Sequence, residues 1–108
     1  MARCFTVFFI LAAIAYSAGV CFGQAADKPA ARNDDPVWVA KHKELLDKAK
    51  RGGIDLYFEG DSITRRWEAT HRESWDRNFG GWRPGDFGAG GDRTQNVLYR
   101  VQNGELDG

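Results

Sequence analysis

The sequence predicts an α/β fold built on a parallel sheet. Three observations carry this. Trp38, His42, Leu45 and Ala49 recur at i, i+4, i+7 and i+11, one face of a helix. An apolar run, Ile54 to Phe58, follows directly after a glycine pair. A second stretch of helical pattern opens at Ile63. Helix, strand, helix in close succession is the order of a layered domain whose strands run parallel.

The first helix starts at Asp35-Pro36, a capping carboxylate followed by a proline suited to the first helical position. Leu46 lies beside its apolar face, and Lys41, Lys43, Glu44 and Lys48 take the wet side. Lys48, Lys50 and Arg51 sit at the carboxyl end, where cations are favoured, and Gly52-Gly53 ends the helix. A strand is expected over Ile54 to Glu59, with Ile54, Leu56 and Phe58 on one side and Asp55, Tyr57 and Glu59 on the other. One helix is expected from Ile63 to about Asp76, with Ile63, Trp67, Thr70 and Ser74 on a shared face and Trp75 close to it. Asn78 to Gly85 reads as a loop dense in turn residues. Asp86-Phe87-Gly88 is a weak second strand, and Gly88-Ala89-Gly90-Gly91 a tight turn. Asp92 is expected to cap a helix from Arg93 to Gln102, with Gln95 at the capping-box position and Val97, Leu98 and Val101 inward. Asn103-Gly104 ends it.

Ahead of this domain, residues 1–23 read as a secretory signal peptide. Arg3 supplies the charge, Phe5 to Ala18 the apolar core, and Gly19, Gly23, Ala25 and Ala26 the small residues near a cleavage site. The apolar core is shorter than the roughly 20 residues a spanning helix needs, which disfavours a stable membrane anchor. Residues 24–35 read as a linker, and 36–108 as an incomplete catalytic-type domain. Both cysteines, Cys4 and Cys21, fall in the signal segment. The processed chain then holds no disulfide, and no Cys/His cluster has zinc spacing. Net charge is zero, so no basic field for nucleic acid follows. The charges around Arg65, Arg66, Arg72 and Arg77 alternate with Glu68, Glu73 and Asp76, as on a solvated helix face.

The chemistry concentrates at Gly60-Asp61-Ser62. A serine at the end of a strand, opening a helix, has free backbone N–H groups and a partial positive charge beside it. Those suit a nucleophilic oxygen and a tetrahedral oxyanion. A serine there also serves as an ordinary helix cap. The second glycine turn, Gly88 to Gly91, can present N–H groups to an anion. It fits an oxyanion loop or a plain turn. It does not fit G-x-G-x-x-G, because Arg93 stands where the third glycine would be. His71 lies nine residues beyond Ser62, about 13 Å along a continuous helix, too far for a base. His42 falls on the apolar face of the first helix and reads as a boundary residue.

Gly60-Asp61-Ser62-Ile63, then Phe87-Gly88-Ala89-Gly90-Gly91-Asp92-Arg93-Thr94-Gln95-Asn96-Val97-Leu98-Tyr99-Arg100, then Asn103-Gly104-Glu105-Leu106, resemble the SGNH/GDSL hydrolases. The likeness is to the type I platelet-activating-factor acetylhydrolase catalytic subunits and their secreted bacterial relatives, over roughly Trp38 to Leu106. It implies the N-terminal part of a flavodoxin-like three-layer α/β/α sandwich. It implies Ser62 as nucleophile, Gly91 as the glycine whose N–H joins that of Ser62 in an oxyanion hole, and Asp61 as the motif carboxylate. It also implies a Gly-x-Asn and an Asp-x-x-His motif, neither of which follows Gly91 here. Gly80 to Gly85 is a slightly longer connection than relatives carry, and Asp86 stands where they often have asparagine.

The reading is thus a secreted or periplasmic serine esterase cleaving small, acetyl-like esters, represented by its N-terminal portion. It needs no cofactor or metal. A small-molecule, glycan or lipid ester is the expected substrate, and a homodimer is compatible with the sequence. The alternatives are a non-catalytic carbohydrate-binding domain, with Trp75 and Trp82 as stacking surfaces, or an inactive fragment. Trp82 either lines an acyl or sugar pocket or folds back on the core.

Overall fold

The computed structural model describes Gly23 and residues 25–108. Cys4, Cys21 and nearly all of the expected signal peptide lie outside the described residues. The fold is α/β: α1 (Pro36–Arg51), β1 (Leu56–Gly60), α2 (Ser62–Ala69), α3 (Arg72–Phe79), β2 (Pro84–Gly88) and α4 (Thr94–Arg100) follow in order. A short 3-10 turn, Gly80–Trp82, precedes β2, and a kinked turn, Val101–Glu105, in which Asn103 and Gly104 leave helical angles, follows α4.

α1 has the ends its sequence demands. Asp35 accepts from the N–H groups of Val37 and Trp38 at 3.0 and 3.2 Å. Gly52, at φ 67°, returns its N–H to the Ala49 carbonyl at 2.9 Å. Trp38, Leu45 and Ala49 are buried, as the helical spacing required.

The two strands pair in parallel, with Leu56 opposite Pro84 and Gly60 opposite Gly88. β1 begins at Leu56, two residues later than expected, and Ile54, ahead of the strand, packs with Tyr57 against Leu45, Ala49 and Phe87 and not on the side of Phe58 as expected. Side chains alternate across the sheet, and each face meets helices. On one face, Tyr57 and Phe87 place their rings 5.0 Å apart and pack with Leu45 and Ala49 of α1. On the other, Phe58 packs against Trp75 and Phe79 of α3, each at 4.9 Å. Trp67 of α2 meets Phe79 edge-on at 6.3 Å. Helices therefore flank the sheet on both sides.

Three expectations are corrected. The helix from Ile63 to Asp76 is two helices. α2 ends at Ala69, Thr70 closes it, and α3 starts after His71. The break turns Trp75 inward, where it is buried, while Ile63, in the first turn of α2, is 68% exposed and lines a surface groove with Trp67 and Ser74. The loop over Asn78 to Gly85 is mostly structured, because α3 reaches Phe79 and β2 begins at Pro84. Arg83 supplies the left-handed residue, φ 47°, that turns the chain into the strand. It is held by a bidentate pair to Asp55 at 2.6 and 2.8 Å. The helix after Asp92 begins one residue late, at Thr94. Its cap is Arg93, whose N–H donates to the Asn96 side chain at 2.9 Å, so Asn96 takes the reciprocal position expected of Gln95. Gln95, Asn96 and Arg100 are its buried residues, while Val97, Leu98 and Val101 are only half-buried.

Among the described residues no helix is long and apolar enough to cross a membrane.

Candidate functional site

Both sequence-predicted glycine motifs lie at the carboxyl ends of the paired strands, where open α/β sheets bind ligands. β1 ends at Gly60, and Asp61 caps α2 by accepting from the N–H of Ile63 at 2.8 Å. Ser62 is the first residue of α2 and half-buried. Its N–H is one of the donors that helix geometry leaves without an intrahelical partner. β2 ends at Gly88, and the chain crosses at once to its neighbour: the Ala89 N–H donates to the Gly60 carbonyl at 3.0 Å. The approach is close. A Cβ at Gly88 would collide with the backbone nitrogen of Arg65 and come within 2.7 Å of the Asp61 carbonyl. Only glycine lets β2 end against the first turn of α2.

Gly91 adopts φ 77°, a conformation glycine takes without strain. The turn is closed by the Asp92 N–H on the Ala89 carbonyl at 3.3 Å. Among the described residues the Gly91 N–H has no backbone acceptor. Ser62 and Gly91 thus follow directly from two strand ends tied by one hydrogen bond. An open cleft of about 580 Å³ is lined by their chain neighbours Asp61 and Asp92, with Glu59, Thr64, Val97 and Leu98; Ser62 and Gly91 themselves do not line it.

Asp92 has a different task from the one expected. It caps no helix. Its carboxylate is buried and accepts from Trp38 Nε1 at 2.7 Å, Arg100 Nε at 2.7 Å and Arg32 Nη1 at 3.1 Å. A capping role would have exposed it, whereas three donors from elsewhere in the chain draw it inward.

Arg100 is the centre of this region. Its side chain is fully buried. Nη2 donates to the Gly60 carbonyl and Nη1 to the Phe87 carbonyl, both at 2.8 Å. Nη1 also meets Glu105 Oε2, while Glu105 Oε1 lies 2.6 Å from His42 Nδ1. The His42 ring stacks on Trp38 at 5.2 Å. His42 is a boundary residue, as its helical position suggested, with Glu105 as its partner.

Glu59 stands at the edge of the same group. Its Oε2 is 3.3 Å from Arg100 Nη1, and its Oε1 is buried without a hydrogen-bond partner. Nη1 has two hydrogens and faces three acceptors, so Glu59 is the one poorly served. Burial pushes the Glu59 carboxyl up to about 7, aided by Glu105, Asp92 and Asp86 and opposed by Arg100. Asp86 is also raised, mainly by burial, against the N–H groups of Gly88 and Glu68 that it accepts.

The segment before α1 joins the site too. The Ala30 N–H donates to the Gln95 carbonyl at 3.0 Å, the Asn96 side chain donates to the Ala30 carbonyl at 2.9 Å, and Arg32 donates to the Gly90 carbonyl at 2.8 Å. His71 takes no part. Because the helix breaks at Thr70, its distance from Ser62 is not the one a continuous helix would set. It is exposed, and its ring faces Trp67 at 6.1 Å. Among the described residues neither histidine is hydrogen-bonded to Ser62, and no cluster of three or more His, Cys, Asp or Glu could hold a metal ion.

Arg32, Glu59, Arg100 and Glu105 were assigned no role from sequence. One local clue existed: Arg100 follows Asn96 by four residues and so shares its face of the helix.

No protein-family model matches the chain. It is 34% identical over 73 residues to the platelet-activating factor acetylhydrolase IB subunit alpha2 of Homo sapiens, which covers 68% of this chain and 31% of that protein. It is 34% identical over 85 residues to the alpha1 subunit of Rattus norvegicus, covering 76% and 36%. The chain resembles a hydrolase family. That is the kinship its glycine motifs pointed to, and the chain spans about a third of the length of these curated relatives.

Proposed function

We propose that the protein is an exported serine esterase of the SGNH type, acting on small acyl esters such as acetyl esters. One observation carries the reading: Ser62 opens a helix at one strand end, and Gly91 lies in the turn that follows the neighbouring end, joined to it through Ala89 and Gly60. In this reading Ser62 Oγ attacks the ester carbonyl carbon. The carbonyl oxygen becomes an oxyanion held by the N–H groups of Ser62 and Gly91. Collapse expels the alcohol and leaves an acyl-serine. Water then attacks that carbonyl, and the acid departs. The proton acceptor is a histidine of the full-length protein, as the resemblance implies. Asp61 fixes the helix start and with it the Ser62 N–H. The signal-type segment over residues 1–23 makes an extracellular or periplasmic lipid or glycan ester the expected substrate.

The test is hydrolysis of p-nitrophenyl acetate by the full-length protein, beside its Ser62→Ala form. Loss of about 10³-fold or more in kcat is expected. Equal rates would end the esterase reading. The carbohydrate-binding alternative loses one of its two surfaces, because Trp75 is buried in the aromatic layer; Trp82, 67% exposed, is the one left.

A further inference from the structure

Arg100 does more than neutralise acids. A single planar group grips the last carbonyl of β1, at Gly60, and a carbonyl near the end of β2, at Phe87. Gly60 stands two residues before Ser62, and Phe87 four before Gly91. The Gly60 carbonyl also accepts the Ala89 N–H, so the cross-strand bond and the guanidinium share one oxygen.

The plane of the guanidinium is itself fixed from the remaining sides. Asp92 holds Nε, and Trp38 and Arg32 hold Asp92. Glu105 holds Nη1, and His42 holds Glu105. Stability alone does not call for this: well-packed apolar residues of similar volume often serve a buried site as well as an ion pair. Apolar packing has no direction, however. A rigid fork of donors does.

We propose that Arg100 is a positioning residue of the Ser62 site, holding the Gly60 and Phe87 carbonyls so that the Ser62 and Gly91 N–H groups converge on one anion. The inference rests on the esterase reading and goes beyond it, since Arg100 acts through backbone and lies under the strands, away from the reacting atoms.

The deciding variant is Arg100→Lys in the full-length protein. Lysine keeps the charge and loses the fork. With p-nitrophenyl acetate, kcat per titratable active site should fall about 30- to 100-fold, the scale of a misplacement near 1 Å. KM should stay within about threefold. Amide exchange at Ala89 should quicken, because its acceptor has lost a second tether. Glu105→Gln, which keeps the side-chain shape, provides a milder case, with kcat down about 10-fold. Arg83→Ala, on the exposed rim, should leave kcat unchanged. An active wild type whose Arg100→Lys and Glu105→Gln forms keep kcat within about twofold, or whose Ala89 exchange does not move, overturns this proposal alone. Equal turnover by wild type and Ser62→Ala overturns the esterase reading and this proposal with it.

Discussion

The two faces of the sheet are held by different physics. Over α2 and α3 the contact is aromatic: Phe58, Trp75, Phe79 and Trp67 meet at centroid distances between 4.9 and 6.3 Å. Over α1 and α4 an apolar cluster, Leu45, Ala49 and Phe87, adjoins a chain of paired polar side chains running His42, Glu105, Arg100, Asp92, Arg32, with Glu105, Arg100 and Asp92 fully buried. Aromatic packing stabilises through area and tolerates small shifts. The ion chain stabilises little for its desolvation cost but admits one arrangement. The face that admits one arrangement is the face whose side chains grip the strand ends beside Ser62.

Breaking each face should therefore look different. Trp75→Ala and Arg100→Met should each cost about 3–5 kcal/mol, the first by opening a cavity and the second by stranding Asp92 and Glu105. Urea denaturation measures both. Their midpoints should part company with pH: the Arg100→Met loss shrinks in acid, where the stranded carboxylates protonate, and the Trp75→Ala loss does not. If both respond alike to pH, the contrast between the faces fails.

Glu59 sharpens the same contrast. Its folded value, about 7, lies above the 4.5 of a free glutamate. Below about 4.5 it is neutral in both states. Between the two values the folded protein keeps a proton that the unfolded chain releases, so rising pH favours unfolding; above about 7 the loss is complete. Glu59→Gln, neutral throughout, should remove a slope of the order of 2–3 kcal/mol across that window. The chain of denaturation midpoints from pH 4 to 8 checks it, and an unchanged slope would show that Glu59 titrates normally.

A smaller effect is expected from Trp38→Phe. It keeps most of the buried area and removes the 2.7 Å bond to Asp92, at a cost of about 1–2 kcal/mol. Smallest of all is Arg83→Ala. The Arg83–Asp55 pair is well formed, and Arg83 holds the Asp55 carboxyl below its usual value, but both are solvent-exposed. The denaturation midpoint should not move measurably.

How far these features could be read from sequence depended on range. α1 was readable because cap, apolar stripe and terminal glycines all fall between Asp35 and Gly53. The break at Thr70 was not, since neither proline nor glycine marks it, and burial of Trp75 against Phe58 decides it. Asp92 looked like a cap because capping preference is local. Its partners Arg100, Trp38 and Arg32 stand eight, 54 and 60 positions away, beyond any local pattern. Ser62 and Gly91 were marked by glycines, whereas the side chain tying their strands together was a plain arginine in a helix.

The kinked turn at Val101–Glu105 governs how this region tolerates change. Glu105 is five residues past Arg100, and on a regular helix it would point about 140° away. The kink, where Asn103 and Gly104 leave helical angles, brings it back to the guanidinium. The spacing is therefore a ruler. Gly104, at φ 102° with Leu46 against the place of a Cβ, is held to glycine, and removing any residue from 101 to 104 would draw the carboxylate away from His42 and Arg100. The stretch resists changes of length throughout and a side chain at Gly104.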